Sequence, residues 1–538
     1  MSVSVTRNDD GAMSLGVSST HSTSLRYRAL PLYSQVFRRI AYALVPTILR
    51  TRHEDFPRAA AITSTSWMDG LRGICAVLVV NFHFLFTFSP IAVLGYNSLG
   101  PVSQHITALP PLSFLWDGAS SVNIFFIISG YVCSYKALQL MQDGPSNFGL
   151  LLQSLSSSVF RRGFRLYLPV LCMTLFTALL AHANGFALTD HFFAHQKIYF
   201  PGTNSEVNVP RFNTLQEQMG FWWQEMRTLT NIWESKPIYP DHDRHLWTIA
   251  YEYRMSLHVY VALLALARFE ARYRLIALCA LALTYTSWYR WEGPLFFLGA
   301  AGAQWDIISR QNGLMHNEAL TDCERLPYQV VGAKNEPQLF NRSTGRSRQA
   351  RRLLLRVLTF GLALYLMGCS VDNHKHPGYG YTWINKFIPS WYRHRETKFP
   401  KSVGALILLY LLSSGPRNLH RGAWRTILES DIALYLGKIM FALYLVHGTV
   451  LHAVGYAIPH LVWTLVGGHD SSWKWMFGML VGWIASLAIS LWAADIFHRE
   501  VEMRCLRLQR WIEIKCEGRT MSGSDSLLRD PGVRRSAG

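Results

Sequence analysis

Apolar residues in this chain gather into long runs, separated by polar, charged or aromatic-rich stretches. The clear runs are 74–95, 119–138, 166–186, 246–267, 353–370, 432–463 and 474–497, and weaker ones are 275–288, 294–304 and 402–413. A helix needs about 20 apolar residues to cross a bilayer. The weak runs fall short of that and fit helices that are tilted, re-entrant or enclosed in a bundle. The pattern predicts an all-α fold, a polytopic transmembrane helix bundle of about ten spans. Residues 1–66 read as a polar, basic N-terminal tail, in which 32–49 is amphipathic and suits a membrane surface. Residues 67–500 read as the membrane domain, with long loops at 187–245, 305–352 and 371–401, and 501–538 as a second basic tail.

Composition agrees. Half of the 538 residues are apolar, 13% are aromatic and 16% are charged, against about 25% charged in soluble domains. That excludes a disordered chain and an ordinary soluble enzyme. The net charge of +18, from 52 Lys+Arg against 34 Asp+Glu, would suggest nucleic acid in a soluble protein. In a membrane protein it marks basic loops that meet anionic lipid and fix topology, so the bilayer is the expected partner and nucleic acid is not.

An even number of spans puts both termini on one side. With the termini in the cytosol, the inside loops hold Arg161, Arg162 and Arg165; Arg268, Arg272 and Arg274; Arg342, Arg346, Arg348, Arg351 and Arg352; and Arg417, Arg421 and Arg425. Outside, 96–115 has no Lys or Arg, and 187–245 has five basic and seven acidic residues. Loop 371–401 disagrees, with six basic residues and two acids. The expected location is a multi-pass endomembrane protein with both termini cytosolic. The Asn341 sequon falls in an inside loop and is expected bare. The N-terminal tail has eight arginines and no lysine but no apolar core, so it is not a secretory signal; Asp9, Asp10, Glu54 and Asp55 argue against a transit peptide. The eight cysteines show no CxxC and no zinc-type Cys/His spacing, so neither a disulfide framework nor a metal site is expected.

Charged and titratable residues inside spans are costly and usually functional. The first span reads Trp67-Met-Asp69-Gly-Leu-Arg72-Gly and continues to His83. Arg72 and His83 are eleven residues apart, three turns plus about 20°, so they share a face, with Asp69 within about 40° of it. His83 lies about 16 Å along the axis from Arg72, roughly mid-membrane. Histidine takes and gives protons near neutral pH, as activation of a hydroxyl requires. Glu252 lies two turns past His245 and suits either a histidine partner or an ion pair with a bundle arginine. Arg162 and Arg165 are i, i+3 neighbours whose guanidiniums suit a phosphate, or simply anchor the topology. His447 is a second intramembrane histidine and fits a packed, hydrogen-bonded residue; His258 and His452 are similar.

At these residues the chain resembles the acyltransferase-3 family of integral-membrane acyltransferases. Asp69-Gly-Leu-Arg72-Gly to His83 is similar to that family's first helix. Val122-Asn-Ile-Phe-Phe-Ile-Ile-Ser-Gly130, Arg162-Gly-Phe-Arg165 to Pro169, His245-Leu-Trp to Glu252, Phe296-Phe-Leu-Gly299 and Gly437 to Tyr444-Leu-Val-His447 follow in the family's order. Asn123 stands where the family often has an acid, Thr248 replaces a serine, and the closing Glu-x-Pro is absent. The long loops and Arg-rich N-terminus look like fungal-type members. The resemblance implies transfer of an acyl group, commonly acetyl, from acyl-CoA to a hydroxyl of a small molecule such as a secondary metabolite, or of a carbohydrate. It implies acyl-CoA as co-substrate with no permanently bound cofactor. His83 would be the catalytic histidine, Arg72 would help hold the donor or orient the site, Glu252 would support the site, and Arg162 and Arg165 would contact the coenzyme A phosphates. The rival reading from the residues is a proton-coupled transporter with Asp69, Arg72, His83 and Glu252 as its relay.

Overall fold

In the computed structural model the apolar runs become helices. Described are residues 4–7, 13–16, 45–47, 63, 65–89, 94–110, 112–202, 206–233, 238–325, 342–370, 377–388, 398–413 and 423–518. The sequon at Asn341, most of the amphipathic stretch 32–49 and residues 519–538 lie outside them. Residues 1–56 and 57–538 form separate units. The first holds an antiparallel hairpin, β1 (Ser4–Arg7) with β2 (Met13–Gly16), pairing Ser4 with Gly16. No strand was anticipated there.

The second unit is helical. Its main elements are α1 (Ser66–Phe88), α2 (Gly118–Gln142), α3 (Phe148–His182), α4 (Leu215–Leu229), α5 (Trp247–Ala265), α6 (Ala271–Ser287), α7 (Glu292–Arg325), α8 (Arg342–Met367), α9 (Lys398–Ser413), α10 (Asp431–Val450), α11 (Ala457–Leu465), α12 (Ser472–Phe497) and α13 (Met503–Cys516). Each of the ten apolar runs falls on these helices, the run 432–463 covering both α10 and α11. Among the described residues, five helical stretches are long and apolar enough to cross a membrane: Ser66–Phe88, Gly118–Gln142, Phe148–His182, Asp431–Leu465 and Ser472–Cys516. The fold is thus an all-α polytopic membrane bundle. Polar residues set the helix starts. The Asp117 side chain accepts from the backbone N–H of Ala119 and Ser120 at the head of α2, and Thr214 with Glu217 forms a capping box on α4.

Some boundaries move. The supposed loop 305–352 is helical up to Arg325 and again from Arg342. The stretch 187–245 contains helices Ala187–Ala194 and α4. The C-terminal tail begins with α13, which continues α12 through a π-helical turn, His498–Glu502. It is tied to α3 through Glu513, which accepts from Ser157 and pairs with Arg161. The charge that marked it as a tail is one face of an amphipathic helix.

α1 is the central element. It packs chiefly on α2 and α10. One core cluster draws on α1, α2, α5 and α7 around Cys75, Ile124, Phe126, Met255 and Phe296. Another draws on α1, α3, α5 and α10 around Ala76, Val80, Val170, Ile249 and Val446. Apolar burial at about 25 cal/mol per Å² drives folding in water. Inside a membrane the contacts rest on close packing and small residues instead. The seven cysteines whose side chains are described are free thiols.

Candidate active site

α1 and α10 cross where neither has a side chain. A Cβ on Gly73 would come 2.3 Å from the backbone nitrogen of Gly437, and one on Gly437 would come 2.3 Å from the carbonyl oxygen of Asp69. Only glycine permits that approach. From the crossing, His83 is ten residues along α1 and His447 ten residues along α10. Each step of ten is about 15 Å. The two helices run the same way, so both imidazoles arrive at the same depth, their centroids 5.4 Å apart. A third ring, His245, stands at the head of α5, 3.8 Å from His83 and 4.7 Å from His447 between centroids.

Two carboxylates from the segment between α3 and α5 enter this cluster. Glu206 Oε1 lies 3.5 Å from His83 Nδ1 and 3.3 Å from His245 Nε2, and Glu206 Oε2 lies 3.2 Å from His452 Nε2. His452 sits on a π-helical turn, Leu451–Gly455, that follows α10; such turns recur at functional sites. Asp243 Oδ1 accepts from His245 Nδ1 at 2.7 Å and from its backbone N–H at 3.0 Å. The Tyr444 hydroxyl donates to the His245 carbonyl and lies 2.6 Å from Thr248 Oγ1.

These partners fix protonation. Both nitrogens of His245 face carboxylates, the pattern of an imidazolium. Burial works against that charge, but Glu206 and Asp243 hold the group up at about 10. Burial would likewise raise Glu206, yet the three imidazoles outweigh it and keep its carboxyl well below the usual carboxylate range. His447 donates from Nδ1 to the Tyr444 carbonyl at 2.8 Å, and its buried Nε2 has no partner. His83 keeps Nδ1 buried against Glu206, so its opposite edge, bearing Nε2, is the open one. Its side chain is 19% exposed, against 3% for His245 and 0% for the whole of His447. His83 is therefore the reachable ring of the three.

The donor nitrogens of His83, His245 and His447 lie within 4.8 Å of one another, a spacing that a cation could bridge. No sequence spacing announces this, since the three come from helices far apart in the chain. As arranged, however, His245 commits both nitrogens to carboxylates, and the cluster is an acid–base chain rather than an open ligand set. A small pocket beside it is lined by Glu206, Asp241, Asp243, His245, Gly448 and His452, among others.

A second group of charges lies toward the N-terminal end of α1. Glu252 accepts from Arg162 at 2.6 Å and from Ser129 Oγ at 2.6 Å, and Arg162 also donates to Ser256 Oγ at 2.9 Å. Glu252 thus stands with an arginine and not with a histidine. Arg72 and Arg165 make no hydrogen bond or ion pair among the described residues, and the buried Nε of Arg72 has no partner. Arg72 feels the charges of Glu252, Arg165, Asp69 and Arg162. Asp69 is exposed beside it. Among the described residues, no hydrogen bond or ion pair joins Asp69, Arg72, His83 and Glu252, the four residues of the transporter relay, to one another, and Glu252 pairs with Arg162. His258 bonds the Tyr285 hydroxyl at 3.0 Å, as a packed polar residue does.

Sequence reasoning did not find Glu206 or Asp243, and it placed His452 among packed residues. Glu206 lies in irregular chain, where no helical period relates it to anything. Asp243 had a signal, an acid two residues before His245, the spacing of a side chain that caps the turn it opens. Of the aromatic residues in 187–245, Trp222 donates to Thr174 Oγ1 at 3.0 Å, while Trp223 and Trp233 are exposed.

Comparison with known proteins bears on this geometry. The acyltransferase-3 family model, described as an acyltransferase domain, matches residues 65–498. O-acetyltransferase PaAT-1 of Phomopsis amygdali is 25% identical over 465 residues, covering 83% of this chain and 84% of that protein. Acyltransferase R4 of Phoma sp. is 25% identical over 495 residues, covering 84% and 95%. Acyltransferase clz18 of Cochliobolus lunatus is 25% identical over 543 residues, covering 90% and 100%. No solved structure matches the chain.

Proposed function

The chain belongs to the acyltransferase-3 family and is an acyltransferase, and from that premise we propose that it moves an acyl group, acetyl foremost, from acyl-CoA to a hydroxyl of a small molecule, as in the tailoring of a secondary metabolite. The observation that carries this reading is His83: one reachable imidazole in a buried cluster, its buried Nδ1 facing the Glu206 carboxylate at 3.5 Å and its Nε2 edge open. That is the arrangement a general base needs. The printed name of one relative, an O-acetyltransferase, supports oxygen as the acceptor atom and acetyl as the group moved.

The donor enters at the arginine end of α1. Arg72 and Arg165, uncommitted among the described residues, meet the phosphates of coenzyme A; Arg162 is neutralised by Glu252 and frames the entrance. The thioester then reaches the level of His83, about 16 Å deeper, along a slender pantetheine arm. With Arg-rich loops at this end, both termini lie in the cytosol, where acyl-CoA is supplied, and the membrane is an internal one. Acyl-CoA is a co-substrate and no resident cofactor is required.

The test is transfer of labelled acetyl from acetyl-CoA by membranes containing the chain, read by untargeted mass spectrometry for a product heavier by one acetyl group. Membranes that form no product with any acyl-CoA of short or long chain would refute the reading. Arg165→Ala is expected to raise KM for acyl-CoA by roughly tenfold, the loss of one charge-assisted hydrogen bond, with kcat little changed. An unchanged KM would remove Arg165 from the donor site.

A further inference from the structure

The buried histidine cluster carries an unbalanced charge. Glu206 and Asp243 are two carboxylates, and His245, bonded by both, is one resident cation. His447 and His452 each have one bonded nitrogen and one without a partner, the pattern of neutral imidazole. With His83 neutral, one negative charge remains in a site whose carboxylates and other imidazoles are buried. Such a charge is costly unless something positive appears beside it.

The two carboxylates are not equivalent. Asp243 accepts from the ring and the backbone of His245 and does not touch His83. Glu206 reaches His83, His245 and His452 at once, at 3.5, 3.3 and 3.2 Å. It is 5% exposed and comes from the irregular segment between α3 and α4. The longest of its three contacts is the one to His83, which leaves room for that contact to tighten.

We propose that Glu206 is the charge partner of His83, a positioning residue that holds Nδ1–H toward itself and stabilises the imidazolium formed during transfer. The inference rests on the acyl-transfer reading of this site. In the step, the acceptor O–H bond breaks and its proton forms an N–H bond at His83 Nε2. The electron pair left on oxygen forms a C–O bond to the thioester carbonyl carbon. The C–S bond then breaks, and the departing thiolate takes the proton back from Nε2. Glu206 exchanges no proton. Its excess charge is matched only while His83 is cationic, so it favours the transition state over the ground state. His245 and Asp243 serve the same end, since the fixed imidazolium keeps Glu206 ionised between turnovers.

The test compares Glu206→Gln and Glu206→Asp with the native chain, full length and in membranes. Glutamine keeps size but presents an amide; aspartate keeps the charge on a shorter arm. Glu206→Gln is expected to lower kcat by about 100-fold, short of the loss known for the comparable change beside a catalytic histidine in serine proteases, with KM for acyl-CoA within about twofold. Glu206→Asp is expected to recover at least about tenfold of that loss. A Glu206→Gln enzyme with kcat within about threefold of the native one overturns the assignment. So does equal impairment of both variants with loss of thermal stability and coenzyme A binding, the signature of a structural pin. A native chain that transfers no acyl group refutes the underlying reading and takes this inference with it; native transfer with an indifferent Glu206→Gln overturns this inference alone.

Discussion

Replacing His83 with alanine is expected to lower acyl transfer by about 10³-fold while leaving acyl-CoA bound. The size follows from what a positioned base contributes, about 10² to 10⁴-fold. The separation of the two effects follows from geometry. His83 lies about 16 Å along α1 from Arg72, so removing its ring does not touch the charges proposed to hold the donor. Nor should it unfold the bundle. The ring is the most exposed of the three clustered imidazoles, and Glu206 keeps His245 and His452 as partners. The backbone at position 83 keeps its place as well, since its carbonyl accepts from Thr87 at 3.2 Å and from Tyr456 at 3.3 Å. The check is initial-rate transfer with saturating acetyl-CoA beside calorimetric titration of coenzyme A on the same detergent-purified sample. Transfer within about threefold of native would remove His83 from the chemistry. Loss of coenzyme A binding together with transfer would show that the variant had lost its fold.

How much of this site could be read from the chain differs from residue to residue. The face of α1 was legible because a helix has a period: Asp69, Arg72 and His83 could be placed on one stripe by counting. The equal depth of His83 and His447 was latent in the sequence. Gly73 and Gly437 each stand ten residues before their histidine, but nothing in one dimension says that those two glycines meet. Glu252 marks the limit of such counting. Its residue type was informative and its partner was not, because Arg162 lies 90 residues away and only packing chooses between an arginine and a histidine. Glu206 was out of reach, since irregular chain has no register from which to project a side chain. The bundle itself was plain from apolar runs, while the helical extensions to Arg325, from Arg342 and over Met503–Cys516 were not. Charged helices look like loops to a hydropathy pattern.

Gly448→Ala is expected to reduce transfer by about 100-fold without disturbing the donor site, although alanine is the better helix former by about 1 kcal/mol. A Cβ at 448 would stand 2.5 Å from His245 Nδ1 and 2.8 and 3.0 Å from the two carboxylate oxygens of Asp243. Position 448 lies one residue past His447 on α10, whose backbone is fixed by its own ladder and by the crossing with α1. The helix cannot give way, so the His245–Asp243 pair must. Displacing it moves the imidazolium from Glu206, and through Glu206 alters the alignment of His83. A misplacement of about 1 Å at a reacting group can cost about 10² in rate, and crowding of a packed site adds about 1–3 kcal/mol of destabilisation. Gly302→Ala is the control. It sits within α7, where a Cβ would meet nothing within 4 Å, and the same exchange there should be neutral or mildly stabilising. Measured together, kcat should fall in the first variant and hold in the second, with KM for acyl-CoA unchanged in both. If Gly448→Ala matched the control in kcat, the His245–Asp243 pair could shift without consequence, and the chain of contacts from Asp243 to His83 would not be what aligns the base.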